Sequence, residues 1–267
     1  MDKVNKTLYI PLYGKAYVSK KQIILQDKKA EEIWEQEGFA LKRKSKSQWL
    51  AYYMAMRSAI YDKWITEKIS QNPHAAVLHI GCGLDSRAER IKATKTLWYD
   101  IDFPEVITER KKYYAETDVY YMVSADMRTN AWKSRIAGAQ DAIIIMEGVS
   151  MYFKPEELKK LLAELAGYFA SVQLLMDCYT ERAAKASKYK NPINDVGVTV
   201  VYGYDNPQKL VENTGVVFEK EYDMTPKKYV DELQGVEKRI FEKLFAGKIA
   251  KGMYKMYEFK SGKEVLS

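Results

Sequence analysis

The chain is poor in the residues that bind metals and close disulfides. Its 267 residues include two cysteines and two histidines, too few for a four-ligand structural zinc site without carboxylates. No metal is expected, and the scarcity of cysteine fits a reducing, cytoplasmic setting. No apolar run approaches the roughly 20 residues of a membrane span; the longest, near Ala142, has the length of a core strand. The opening residues MDKVNKTLYIPLYG lack a secretory hydrophobic region followed by a small-residue cleavage site. Repeats and low-complexity segments are missing too. What is present is an apolar share of 47%, enough for a substantial core, in a length that suits one large domain or a domain with a subdomain.

The net charge is +7, part of it in the run Leu41-Lys42-Arg43-Lys44-Ser45-Lys46. Such a run can meet nucleic acid or an anionic substrate, but its ordinary reading is a solvated loop or helix face. The 21 tyrosines are scattered and form no RNA-binding signature.

Residues 1–20 are too irregular to assign. Asp27 to Glu37 has an N-cap and helical spacing at Ala30, Ile33 and Trp34. Ser47 to Ile69 is a stronger helix, with Arg57 in its middle; a mid-helix Arg ordinarily extends to solvent. Gln71-Asn72-Pro73 ends it. From residue 75 the pattern alternates. Short apolar runs at 76–80, 97–101, 119–123, 142–146 and 172–176 are separated by helical stretches, including one from Pro104 to about Thr117 and one from Glu156 to Phe169. Five strands with intervening helices predict a parallel, doubly wound α/β sheet. Residues 180–206 read as a mobile cover, followed by a helix from Pro207 to Asn213. Val216 to Tyr222 and Lys255 to Phe259 then alternate as a closing antiparallel pair, with a helix from Pro226 to about Ile249 between them.

The stretch Ala75 to Pro104 organises the rest. Its first strand stops at Gly81-Cys82-Gly83, where two glycines permit a tight turn and close approach of a ligand to the backbone. Asp85 and Ser86 are good helix caps for Arg87 to Lys92. The next strand ends in Asp100 and Asp102, 19 and 21 positions after Gly81, about where a nucleotide-binding fold places its ribose carboxylate. A dinucleotide site wants a third glycine and room for a pyrophosphate. Position 86 is Ser, and Asp85 adds a negative charge. S-adenosylmethionine has no phosphate and carries a sulfonium cation, so it tolerates that acid. Three readings stay open on this stretch alone: a methyltransferase, a dinucleotide enzyme, or a glycine turn with no cofactor. Asp126, Glu147 and Asp177 also lie at strand ends, where ligands of such sheets bind. Asp177 reads as an ordinary turn or cap residue; Glu147 is not a turn former and suits a cationic or hydrogen-bond-donating ligand.

Five blocks, in order over about residues 50–155, resemble the leucine carboxyl methyltransferase family, including its bacterial tetracenomycin-type polyketide O-methyltransferase branch. They are Met56-Arg57-Ser58, Ile80 to Arg87 (IGCGLDSR), Asp100 to Ile107 (DIDFPEVI), Asp126-Met127-Arg128 with Trp132, and Glu147 to Phe153 (EGVSMYF). The resemblance implies a seven-stranded, mostly parallel sheet of the class I methyltransferase type. It further implies an N-terminal helical extension, residues 1–74, forming part of the pocket, and a methyltransferase domain, 75–267, with a lid at about 180–206. It places Gly81 against the methionine part of S-adenosylmethionine, with Cys82 and Gly83 also cofactor-binding, and pairs Arg57 with the cofactor carboxylate. Asp102, rather than Asp100, holds the ribose; Asp126 and the Met127 backbone face the adenine; Glu147 lies near the amino or sulfonium end. A lysine of the N-terminal segment also touches the cofactor in the family, with Lys15, Lys20 and Lys21 as candidates. Cys82 and Met127 depart from the usual Ala and Leu.

The expected activity is therefore S-adenosylmethionine-dependent O-methylation of a carboxylate or hydroxyl, on a small molecule or a peptide terminus. A carboxylate is already anionic and needs no base, whereas a phenol needs one; His79 is expected buried. Tyr152 is the nearest polar group for orienting a substrate, and packing is its plain alternative. Two rivals remain. A nucleic-acid methyltransferase acting on amino groups carries Asn/Asp-Pro-Pro-Tyr/Phe after the fourth strand, where this chain has Glu147-Gly148-Val149-Ser150; Asn191-Pro192-Ile193-Asn194 falls after the fifth. A regulatory protein that binds the cofactor without turnover is the other.

Overall fold

The computed structural model describes residues 7–37, 46–136, 140–190 and 200–262. Among them, seven strands form one sheet: β1 (Ala76–Ile80), β2 (Trp98–Asp102), β3 (Tyr120–Ser124), β4 (Asp141–Met146), β5 (Ser171–Tyr179), β6 (Val217–Tyr222) and β7 (Tyr254–Ser261). Their order is β3-β2-β1-β4-β5-β7-β6. The first five are parallel, and β7 lies antiparallel between β5 and β6. The chain thus reverses its winding between β1 and β4, the place where an open α/β sheet leaves a crevice beyond its strand ends.

Both faces of the sheet are covered, so its central strands are apolar throughout. In β4, Ala142, Ile144 and Met146 pack with Leu158, Leu161 and Leu165 of α6 (Pro155–Tyr168). The alternate residues Ile143 and Ile145 pack on the opposite face with Met56, Ile60 and Trp64 of α3 (Gln48–Gln71). The period-two alternation of a strand makes this division.

Several expectations change. Residues 9–20 form a helix, α1 (Tyr9–Lys20), with Pro11 in its first turn, where its missing N–H costs nothing. Gly14 lets α1 cross α3 closely: a Cβ there would lie 3.2 Å from Met54 and 3.3 Å from Ala51. The helix read from Asp27 is α2 (Lys28–Glu37), capped by Asp27, whose carboxylate accepts from Ala30 N at 2.9 Å. The helix expected to reach Lys92 is only α4 (Arg87–Arg90), ended by Lys92 at φ 58. Neither Asp85 nor Ser86 caps it with a side chain; both are drawn into ion pairing and hydrogen bonding instead. The helix after Phe103 is α5 (Pro104–Arg110), ending short of Thr117. The cover region contains α7 (Glu181–Lys190), and the segment beyond it α8 (Pro207–Val211). Between β6 and β7 three short helices replace the single one: α9 (Lys227–Val230), α10 (Gly235–Leu244) and α11 (Lys248–Lys251). Gly235, at φ 54, and Gly247 mark the breaks. Most of the basic run, residues 41–45, and the stretch Asn191 to Asn194 lie outside the described residues.

Candidate functional site

Beyond the carboxyl ends of β1, β2 and β4 lies a cavity of about 880 Å³, walled also by α1, α3 and the segment from α10 to β7. The turn after β1 forms its floor. Gly81 and Gly83 have φ of +69 and +52, a backbone region that favours glycine. A Cβ on Gly81 would lie 2.2 Å from Val149 Cγ2, so the loop after β4 closes on the turn only because that atom is missing. Cys82 is buried between the two glycines and also lines the cavity.

The two acids of β2 are two positions apart and leave the strand on the same side, so their partners and not the pleat divide them. Asp100 points into the protein, where it accepts from Trp98 Nε1 at 2.8 Å, faces His79 Nδ1 at 3.0 Å and pairs with Arg110. Burial opposes its ionisation, but Arg110 and the His79 hydrogen bond outweigh that and hold it at about 2. Asp102 points into the cavity. Its two oxygens accept from Gly83 N at 2.9 Å and Phe103 N at 2.8 Å, and no cation pairs with it among the described residues. Burial pushes its carboxyl up to about 6, against those two backbone donors. Each oxygen keeps a lone pair for a ligand hydroxyl.

Arg57, read from spacing as solvent-directed, is 4% exposed. Helix α3 packs on the sheet with this side inward, and buried acids receive the guanidinium. Its Nε donates to Glu147 Oε1 at 2.9 Å, and its Nη1 lies 3.4 Å from Asp177 Oδ2 and 3.1 Å from Tyr254 Oη. Nη2 has no hydrogen bond among the described residues. Glu147 also accepts from Ser58 Oγ at 2.9 Å and pairs with Arg87. Burial opposes its charge, yet Arg87 and Arg57 keep its carboxyl at about 2.

Asp177 is no turn or cap residue. It lies inside β5, fully buried, because β5 continues to Tyr179 alongside β7. Burial raises its pKa despite Arg57.

Of the three candidate lysines, Lys15 alone lines the cavity. It pairs with Asp85 at 2.9 Å, and both side chains are buried. Asp85 also meets Arg90 at 2.9 Å and Arg87 at 3.2 Å. Burial disfavours its charge, and Arg87, Lys15 and Arg90 overcome that to hold it well below the usual carboxylate range. Lys20 pairs with Glu35, and Lys21 with Tyr52 and Glu237, away from the cavity. Sequence reasoning missed the placing of Asp85; the signal available was an acid at the end of a glycine turn, followed by Arg87 and Arg90.

At one end of the cavity lie Phe103, Asp126, Met127 and Arg128. Arg128 grips the Asp126 carboxylate, Nη2 to Oδ2 at 2.7 Å, and lies over the Phe103 ring at 5.6 Å. At the other end are Tyr53, Tyr152, Tyr179, Phe245, Met253 and Tyr254. The Tyr179 and Tyr254 ring centroids are 4.8 Å apart. Burial pushes the Tyr152 phenol up to about 12. Tyr53, Tyr179, Phe245 and Tyr254 were not foreseen; aromatic residues scattered over four elements leave no spacing to read. Among the described residues no cluster of His, Cys, Asp or Glu could hold a metal ion.

Comparison with known proteins identifies the family. The leucine carboxyl methyltransferase family model matches residues 5–166. The tetracenomycin polyketide synthesis O-methyltransferase TcmP of Streptomyces glaucescens is 26% identical over 238 residues, covering 88% of each chain. The S-adenosyl-L-methionine-dependent methyltransferase dpfgK of Gibberella zeae is 22% identical over 182 residues, covering 62% of this chain and 61% of its own. Among solved structures, magnesium protoporphyrin IX methyltransferase from Synechocystis PCC 6803 superposes with a TM-score of 0.51 at 12% identity, over 87% of this chain and 93% of that one; this likeness concerns the fold alone. The family model spans more than half of the chain and takes in the glycine turn, Arg57, Asp102, Asp126 and Glu147, and the chain belongs to the leucine carboxyl methyltransferase family.

Proposed function

We propose that the chain is an S-adenosylmethionine-dependent methyltransferase whose acceptor atom is an oxygen, foremost the carboxylate of a small molecule with an apolar body. The observation that carries the cofactor is Asp102. It is a carboxylate at the end of β2 with both oxygens tied to the backbone, no cation paired with it among the described residues, and lone pairs open to the cavity. That is the chemistry of a ribose-diol acceptor.

The other residues fit the same group. The bare turn at Gly81, Cys82 and Gly83 offers backbone to the methionine part. Lys15 and Arg57 are the two cations for its carboxylate, and Arg57 Nη2 has no hydrogen bond among the described residues to compete with it. Asp126 and the Met127 backbone border the adenine end. Glu147 fixes Arg57 and brings negative charge toward the amino and sulfonium region. In this reading residues 1–74 are an extension that roofs the pocket of 75–267, supported by Leu8, Leu12 and Lys15 on its wall.

When bound, the cofactor supplies an electrophilic methyl group on a sulfonium. The protein's part is alignment and exclusion of water. The phenol of Tyr152 stays protonated at neutral pH and can donate a hydrogen bond that orients the acceptor, but it does not take a proton. His79 is 2% exposed and held by Asp100. With no ready base at the aromatic end among the described residues, an acceptor that arrives already anionic suits the site best.

The test is transfer of labelled methyl from S-adenosylmethionine to paired aromatic acceptors bearing a carboxylate or a phenol. Label that mild base releases is an ester and supports the carboxylate reading. Base-stable label would move the assignment to a hydroxyl or an amine. Cofactor binding without transfer to any acceptor would favour the regulatory reading.

A further inference from the structure

We propose that Asp177, acting with Tyr254, is the residue that aims Arg57 at the amino-acid end of the cofactor; this rests on the cofactor assignment above. Arg57 needs an anchor on the side away from the ligand, and Glu147 supplies only part of one. The Glu147 carboxylate is divided between Arg57, Arg87 and Ser58. Asp177 is different: among the described residues Arg57 is its single cationic partner.

Its own position is fixed from several directions. Oδ1 accepts from Gly148 N at 2.9 Å and has Tyr61 Oη at 2.6 Å. Oδ2 faces Arg57 Nη1 at 3.4 Å and accepts from the Tyr254 hydroxyl, which in turn accepts from Nη1 at 3.1 Å. A carboxylate held this way cannot follow a moving guanidinium, so the guanidinium must come to it. Gly148 closes the third side. At φ +69 it lies against the guanidinium, and a Cβ there would be 3.1 Å from both Nη1 and Nη2. With Nε on Glu147, Nη1 on the Asp177–Tyr254 pair and Gly148 against the guanidinium, Nη2 is, among the described residues, the nitrogen left to meet a ligand carboxylate. Asp177 therefore acts through Arg57 and is a positioning residue.

The test compares two ligands that differ in the part Arg57 meets. S-adenosylhomocysteine carries the amino-acid carboxylate; 5′-methylthioadenosine has the same nucleoside and thioether without it. Calorimetric titration of wild type, Asp177→Asn and Tyr254→Phe with each ligand reads the effect. Asp177→Asn keeps the shape and an acceptor for Gly148 N but removes the charge facing Nη1. It should weaken S-adenosylhomocysteine about tenfold or more, the scale of a disturbed charge-assisted hydrogen bond, and leave 5′-methylthioadenosine within about twofold. Tyr254→Phe should give the same selective loss in smaller measure, and it carries the test if the first variant does not fold. Equal loss for both ligands would mean a purely structural role and overturn the inference, as would no loss for either. Wild-type protein that binds neither ligand would overturn the cofactor assignment itself, and the inference with it.

Discussion

Replacing Asp102 with asparagine should make the free protein relatively more stable at neutral pH while weakening the cofactor. Asp102 is enclosed by protein at the cavity wall, with two backbone donors and, among the described residues, no cation paired with it. Burial therefore moves its carboxyl from 3.8 to about 6. A carboxyl with a raised folded-state value binds more protons folded than unfolded between those limits, so stability falls as pH rises through that window. Once ionised it costs up to about 3 kcal/mol. The substituted amide has no such titration, although its NH2 group will confront one of the two backbone N–H donors at a roughly constant cost of about 1–3 kcal/mol. The pH-independent cost cancels when the difference between variant and wild type is followed with pH. Urea unfolding of both proteins from pH 4 to pH 7.5 is the assay. The variant should gain on wild type by up to about 3 kcal/mol between pH 4 and pH 7, and its S-adenosylhomocysteine affinity should fall by about 1–3 kcal/mol. Wild-type affinity should itself drop below about pH 6, because the protonated carboxyl accepts less well. Parallel stability profiles for the two proteins would refute the reasoning, since they would mean that Asp102 does not titrate in this window.

Other perturbations follow from the same contacts. Arg57→Met leaves Asp177 without its cation, so it should destabilise by about 3–5 kcal/mol as well as weaken the cofactor; an unchanged thermal midpoint contradicts this. Gly81→Ala should cost about 1–3 kcal/mol, from the left-handed backbone and the clash with Val149. Part of that should return in the double variant with Val149→Ala, and a double variant no more stable than Gly81→Ala alone would count against the clash. Glu147 and Asp100 are held at about 2, and Asp85 is also depressed. Their contribution is complete above about pH 5.5 and lost as pH falls toward 2; a far-UV signal and unfolding midpoint that stay flat from about pH 5.5 to 2 would contradict it.

The strands could be read because each is an apolar run with a turn former at its end, and a sheet covered on both faces demands that pattern. Helix α1 was hidden by the two residues that make it work, Pro11 in the first turn and Gly14 at the crossing with α3. The split of 226–249 into three short helices was equally obscure, because its hydrophobic spacing runs on past Gly235 and Gly247. Asp100 and Asp102 differ by two positions on one strand; which faces the cavity is set by the Arg110 and His79 packing, and no local signal states it. Asp177 was misread because an acid at the end of an apolar run resembles a cap. Strand β5 runs on only because β7 pairs with it through Tyr179, a contact made from 75 residues away in sequence. Arg57 shows the same limit, since its burial depends on acids contributed by β5 and by the loop after β4.

The central claim is that the cavity floored by Gly81 to Gly83 and edged by Asp102 takes an adenosine cofactor without a pyrophosphate. Calorimetric titration with S-adenosylhomocysteine, with NADH as the control, tests it most directly. S-adenosylhomocysteine should bind with a Kd on the order of micromolar, and NADH should give no heat of binding. Tight binding of NADH, or of neither ligand, would contradict it.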